Sequence, residues 1–168
     1  RADEGFEPPA RERRELFGVR LEQDRNAHQA SERDLAEVVC GELTADARRD
    51  LLLGLVALKY TQSNSVGYAL GGQMIGIGAG QQSRVDCTRL AGAKVDTWWL
   101  RRHPTVRALA FGTDVRRQDR INWEIRFIEG DLDDREDDRF RASLTADPEP
   151  LGADERAAWV ERLDNVVL

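Results

Sequence analysis

The sequence has few of the residues that staple or ligate. Two cysteines, Cys40 and Cys87, and two histidines, His28 and His103, stand in 168 residues. That gives neither a disulfide framework nor a metal-ligand spacing, and with no signal peptide visible a reducing cytoplasm is the expected compartment. No apolar run approaches the roughly 20 residues of a membrane-spanning helix, so no membrane partner is expected. Basic residues are outnumbered, with 25 Lys and Arg against 31 Asp and Glu and a net charge of -6. A general nucleic-acid binder needs a basic face to neutralise phosphates, so nucleic acid is not an expected partner and any anion site must be local. No internal repeat or low-complexity linker occurs. The chain opens on Arg1 rather than methionine, and the expectation is a piece of a longer protein.

What is present reads as globular. A hydrophobic content of 40% with 33% charged residues suits one domain with a fair core. The chain is organised around residues 59–84. Ahead of them, residues 50–58 are apolar at almost every position, which predicts a helix buried on most sides. Thr44 makes its N-cap, with Asp46 in the first turn. Residues 65–70 and 73–79 flank Gly71-Gly72, a dipeptide suited to a tight hairpin turn. The second strand runs through Gly76, Gly78 and Gly80 into another helix. A strand, glycine-rich turn and helix start let the backbone approach a ligand and aim free N–H groups at it. Arg84, read as about one turn inside that helix, adds a directed fork of donors. The competing reading is that the glycines only relieve crowding in a packed strand. Asn64 could likewise be a helix C-cap.

Elsewhere the signals are coarser. Residues 1–14 read as an extended, aperiodic lead-in. Phe17, Val19 and Leu21 alternate with polar neighbours, the period of a half-buried strand, and residues 35–39 suggest a second short strand before a turn at Gly41. Cys87, Leu90, Ala91, Val95 and Trp98 recur at helical spacing, and Pro104 ends that helix. Trp98 and Trp99 are read as packing rather than base stacking. His28 in a polar loop and His103 before the proline have no evident partner and are read as non-catalytic. Residues 106–111 suggest a strand and residues 114–128 a helix. The acidic run 131–138 lacks the glycine and terminal glutamate of a calcium loop and reads as a solvated helix start. A last helix is expected over 153–163, then an apolar segment at 165–168.

Four ordered blocks carry a resemblance: Lys-Tyr-Thr-Gln-Ser-Asn-Ser (59–65), Gly-Gln-Met-Ile-Gly-Ile-Gly-Ala-Gly-Gln-Gln-Ser-Arg (72–84), Cys-Thr-Arg-Leu-Ala-Gly (87–92) and Trp-Trp-Leu-Arg-Arg-His-Pro (98–104). Together they closely resemble the AICAR transformylase family, the formyltransferase part of the bifunctional purine biosynthesis protein. The likeness extends more loosely to residues 15–26 and the closing helices. It implies an α/β fold, a partial copy of a cytidine deaminase-like three-layer α/β/α sandwich with additional helices. Residues 1–43 would be lead-in and strands, 44–104 a helix-hairpin-helix core with the substrate site, and 105–168 a helical connection.

The activity implied is formyl transfer from 10-formyltetrahydrofolate, the co-substrate, to AICAR in IMP biosynthesis, with AICAR nucleotide and folate as partners, no metal, and a homodimeric assembly. Asn64 and Arg84 match family residues on the AICAR nucleotide, near its carboxamide, and Val85 matches one on the folate. The catalytic residues are unknown here, because the family's Lys-His pair lies outside this sequence. Alone, the chain is expected to be inactive. A non-catalytic nucleotide- or anion-binding module of the same fold is the alternative. The zinc signature of true deaminases is absent, which disfavours deamination. Leu70-Gly71 replaces a more polar hairpin tip, and Ala93 stands where the family usually carries Asp.

Overall fold

The structure, a computed structural model, describes Asp3 and residues 5–168. The chain divides into two compact units, residues 1–30 and 31–168. The first is an antiparallel hairpin, β1 (Arg11–Leu16) and β2 (Val19–Asp24). Residues 11–14 are therefore strand rather than lead-in. Their charges hid the period, because both faces of this hairpin are solvated and no apolar alternation is required of it. Phe17 is the turn residue, with φ 50° and full exposure, so it contributes nothing to a buried face.

The second unit begins with a short 3-10 helix, Glu32–Leu35, where a strand over 35–39 was expected. Ser31 and Asp34 form a capping box that closes this turn locally, and Val39 stands 94% exposed without a strand to pair with. Helix α1 (Ala45–Lys59) follows, and Thr44 caps it by accepting the Ala47 N–H. β3 (Ser65–Leu70) and β4 (Gln73–Ala79) form the hairpin expected over these residues, with a register shift between Tyr68 and Ala69 and with Gly71 and Gly72 at φ 61° and 78°. Helix α2 (Arg84–Leu100) comes next.

The glycines show how these elements stack. A Cβ on Gly67 would point at Leu58 of α1, whereas Cβ atoms on Gly76 and Gly78 would run into the carbonyl oxygens of Ala91 and Cys87 in α2. Gly67 pairs with Ile77, which lies between those two glycines in β4. Because side chains alternate across a strand, α1 and α2 cover opposite faces of the hairpin. Buried Cys87, Ala91 and Val95 form the inward stripe of α2. Val167 pairs with Ala69 through two backbone hydrogen bonds of 2.9 and 3.1 Å, so residues 165–168 reach the outer edge of β3.

Helix α1 is less enclosed than its leucines suggested. Leu55 and Val56 are 44% and 48% exposed, and its buried residue is an acid, Asp50. A two-stranded sheet is narrower than the apolar circumference of the helix, so only one side can be covered.

The remainder is helical. α2 stops at Leu100, and Pro104 opens the next helix, α3 (Pro104–Arg107), where proline's missing N–H is harmless. That replaces the strand expected over 106–111, of which only Phe111 pairs, with Leu144. α4 (Arg117–Glu129), α5 (Asp134–Ala142) and α6 (Ala153–Val160) complete the unit. The acidic run 131–138 does open α5: Asp133 caps it and forms a box with Glu136. Leu100, Val106, Ile128 and Leu151 make the core here, with Phe140 ringed by Phe111, Trp123 and Phe127. Trp99 and Trp159 stack, and each indole N–H donates to the other's backbone oxygen, at 2.9 and 3.2 Å. Both tryptophans of the 98–99 pair thus pack within the protein, Trp98 against Trp99.

Candidate functional site

The corner between β4 and α2 is tied to the segment that follows α1. The Gly80 N–H donates to the Gln62 carbonyl at 2.8 Å, in a glycine held at φ 69°. The Asn64 backbone N–H donates to the Gln81 carbonyl, and its side-chain amide donates to the carbonyls of Gln81 and Gln82 at 3.3 and 3.2 Å. Buried Cys87 closes the knot by donating from Sγ to the Asn64 carbonyl. Residues 61–64 and 80–82 therefore form one laced corner.

Asn64 is not the cap of α1. Tyr60 occupies that position, and the Ser63–Asn64 peptide is cis. Its side-chain N–H donors are spent within the protein, which leaves the amide oxygen as the group it can offer a ligand. Arg84 is the first residue of α2 rather than one turn inside it, because Ser83 is the N-cap and accepts the Val85 and Asp86 N–H groups. Arg84 is exposed and makes no ion pair among the described residues. Val85 is 57% exposed beside it. The corner thus presents a guanidinium, an amide oxygen and an apolar side chain together at a helix start.

The glycines divide between the two readings. Gly76 and Gly78 are buried under α2, where any side chain would meet its backbone, so they serve packing and offer no donors to a ligand. Gly80 alone belongs to the turn. The spacing of the three could not distinguish these roles, since close approach to a helix and close approach to a ligand both demand a missing Cβ.

A second anchor lay outside the sequence reading. Asp50, 2% exposed, accepts the N–H groups of Gly71 and Gly72 at 2.7 Å each and the Arg49 Nε at 2.9 Å. The Arg49 guanidinium and then the two backbone donors hold its carboxyl below the ordinary range, against the opposing effect of burial. It pins the tip of the β3–β4 hairpin to α1, opposite the laced corner. An acid among leucines was the available signal, but the backbone N–H groups it binds lie more than twenty residues away.

His103 also differs from expectation. It caps α3, its Nδ1 accepting the Thr105 N–H, and its buried ring lies edge-on to Trp159 with Nε2 3.4 Å from Glu155. Its partners hold a structural junction. His28 sits exposed in the loop after β2, its backbone N–H donating to the Asn26 side chain.

A protein-family model described as AICARFT/IMPCHase bienzyme matches residues 2–94. Its two activities, AICAR formyltransferase and IMP cyclohydrolase, belong to purine biosynthesis. The matched stretch contains both hairpins, α1, the laced corner and the start of α2 with Arg84 and Val85. More than half of the chain falls within it, and the chain belongs to the AICARFT/IMPCHase bienzyme family.

Proposed function

We propose that this chain supplies part of the substrate site for formyl transfer from 10-formyltetrahydrofolate to AICAR, within a cytoplasmic homodimeric enzyme. The observation that carries the reading is Arg84, an exposed guanidinium without an ion-pair partner among the described residues, at the first position of α2 on a corner tied together by Asn64. In this reading Arg84 and Asn64 hold the carboxamide end of AICAR. The guanidinium donates to the carboxamide oxygen and the Asn64 amide oxygen accepts from its nitrogen, while Val85 lies against the folate. The helices on both faces of β3–β4 support a deaminase-like α/β/α sandwich, of which this chain carries one part.

The reaction is acyl transfer to a weak amine. A base must take the amine proton and donors must stabilise the oxyanion that develops on the formyl group. Neither role falls to a residue of this corner, so the contribution proposed here is binding and orientation, and the isolated chain does not turn over. The test is Arg84→Ala in a complete bienzyme containing this sequence. Efficiency of formyl transfer should fall by about 2–4 kcal/mol in transition-state terms, from lost charged hydrogen bonds, and Arg84→Lys should recover only part of it. Unfolding of Arg84→Ala while the folded remainder binds AICAR normally would make the residue structural and overturn the assignment.

A further inference from the structure

The far end of α2 carries a second concentration of charge. At ~1.5 Å of rise per residue, the two ends of a helix of this length lie roughly 25 Å apart. Just past Leu100, Arg101, Arg102 and Arg107 line a cleft of about 550 Å3 whose lining contains one carboxylate, Glu124. Arg101 pairs with that carboxylate at 3.2 Å. Arg102 makes no ion pair among the described residues: it donates to the Trp98 carbonyl and lays its guanidinium 3.5 Å from the centre of the Trp98 ring. Arg107 makes no ion pair among the described residues. Burial, then the charges of Arg101 and Arg107, push the Arg102 guanidinium below its ordinary value.

Complementing a helix dipole accounts for arginines at the end of α2. It does not account for Arg107, which closes a helix of only four residues. Nor does it explain why three guanidinium groups converge on one concavity in a chain of net charge -6. Leu109, half-buried, supplies an apolar side beside them. The volume lies within the ~300–1,000 Å3 typical of small-molecule sites.

We propose that this cleft binds a phosphorylated small molecule, its phosphoryl oxygens held by Arg101, Arg102 and Arg107 and its less polar part lying against Leu109. Guanidinium forks match phosphoryl oxygens two at a time, and Glu124 positions the fork of Arg101. The site is separate from the Arg84 corner and does not depend on the reading given to that corner.

The test is calorimetric titration of the full 168-residue chain with inorganic pyrophosphate and, separately, with ATP, at ~0.15 M salt. Saturable binding at one site is expected, with Kd below about 1 mM, weakened at least about tenfold by Arg107→Glu and unchanged by Arg135→Ala, an exposed arginine outside the cleft. Arg107 is exposed, and a thermal melt of Arg107→Glu and Arg107→Ala controls for folding. ATP binding more tightly than pyrophosphate identifies a nucleotide, and equal affinities identify the phosphoryl group alone; both support the site. Absence of saturation up to about 10 mM, binding indifferent to Arg107→Glu, or equal weakening by Arg135→Ala would overturn it. So would an acidic peptide that binds where pyrophosphate does not.

Discussion

The protein contains two antiparallel hairpins of similar length, and different forces hold them. In β1–β2 every residue but one is exposed, and the strands are tied by cross-strand ion pairs such as Arg13 to Glu22 and Arg11 to Asp24. In β3–β4 the strands are covered on both faces, the inward positions are glycine, alanine and isoleucine, and a buried carboxylate clamps the turn. Both turns use a pair of left-handed residues, Phe17-Gly18 and Gly71-Gly72. The difference shows that strand alternation tells which residues share a face and leaves open whether anything covers that face.

Paired substitutions can break the contrast. The largest effect is expected at Gly78→Ala, whose added Cβ would meet the Cys87 carbonyl. Overpacking against backbone should cost about 3 kcal/mol and lower the melting temperature by roughly 10 °C. Gly18→Ala has open space around it and only a φ of 76° to strain, so its cost should be about 1 kcal/mol. Equal losses at the two glycines in denaturant melts would remove packing as the distinction between the hairpins.

Next comes the clamp. Asp50→Asn should destabilise the protein by about 2 kcal/mol, since an amide replaces a charged acceptor of three donors. The folded carboxyl sits below its ordinary value, so its contribution is full above about pH 4 and is lost as pH falls through the lowered folded value. Acid melts of the native chain should therefore steepen below about pH 4, and those of Asp50→Asn should lack that component. Identical acid limbs would show the clamp to be energetically idle. The smallest effect belongs to Arg13→Ala, within about 0.5 kcal/mol and smaller still in 1 M salt, because its pair is exposed. A loss above ~1 kcal/mol there would mean that the first hairpin is held more firmly than surface pairs allow.

The sequence was most legible where local chemistry decides. Gly71-Gly72 marked a turn, Thr44 and the 131–138 acids marked helix starts, and the Cys87, Ala91, Val95 spacing marked a packed face, all of which stand in the structure, whereas Leu90, expected on that face, is exposed. It misled where tertiary partners decide. Residues 11–14 look like lead-in because their strand needs only charged partners across the hairpin. Pro104 looks like a stop because a proline that ends one helix and a proline that begins the next are identical in sequence. At the site, Arg84 was singled out by its place after the glycine-rich turn as well as by resemblance to a family, and Asn64 by that resemblance. Their mutual tethering through Gln81 and Gln82 had no local signature.

The pairing of Val167 with Ala69 carries a kinetic consequence. Two segments so distant along the chain meet only after a large loop has been closed, so this contact should form late in folding. Until it does, the outer edge of β3 offers unpaired backbone groups to any passing strand. Ribosome-bound or partly refolded chains should therefore be at their stickiest while residues 165–168 are still unplaced, and a hydrogen-exchange pulse should find the Ala69 amide protected later than those between β3 and β4.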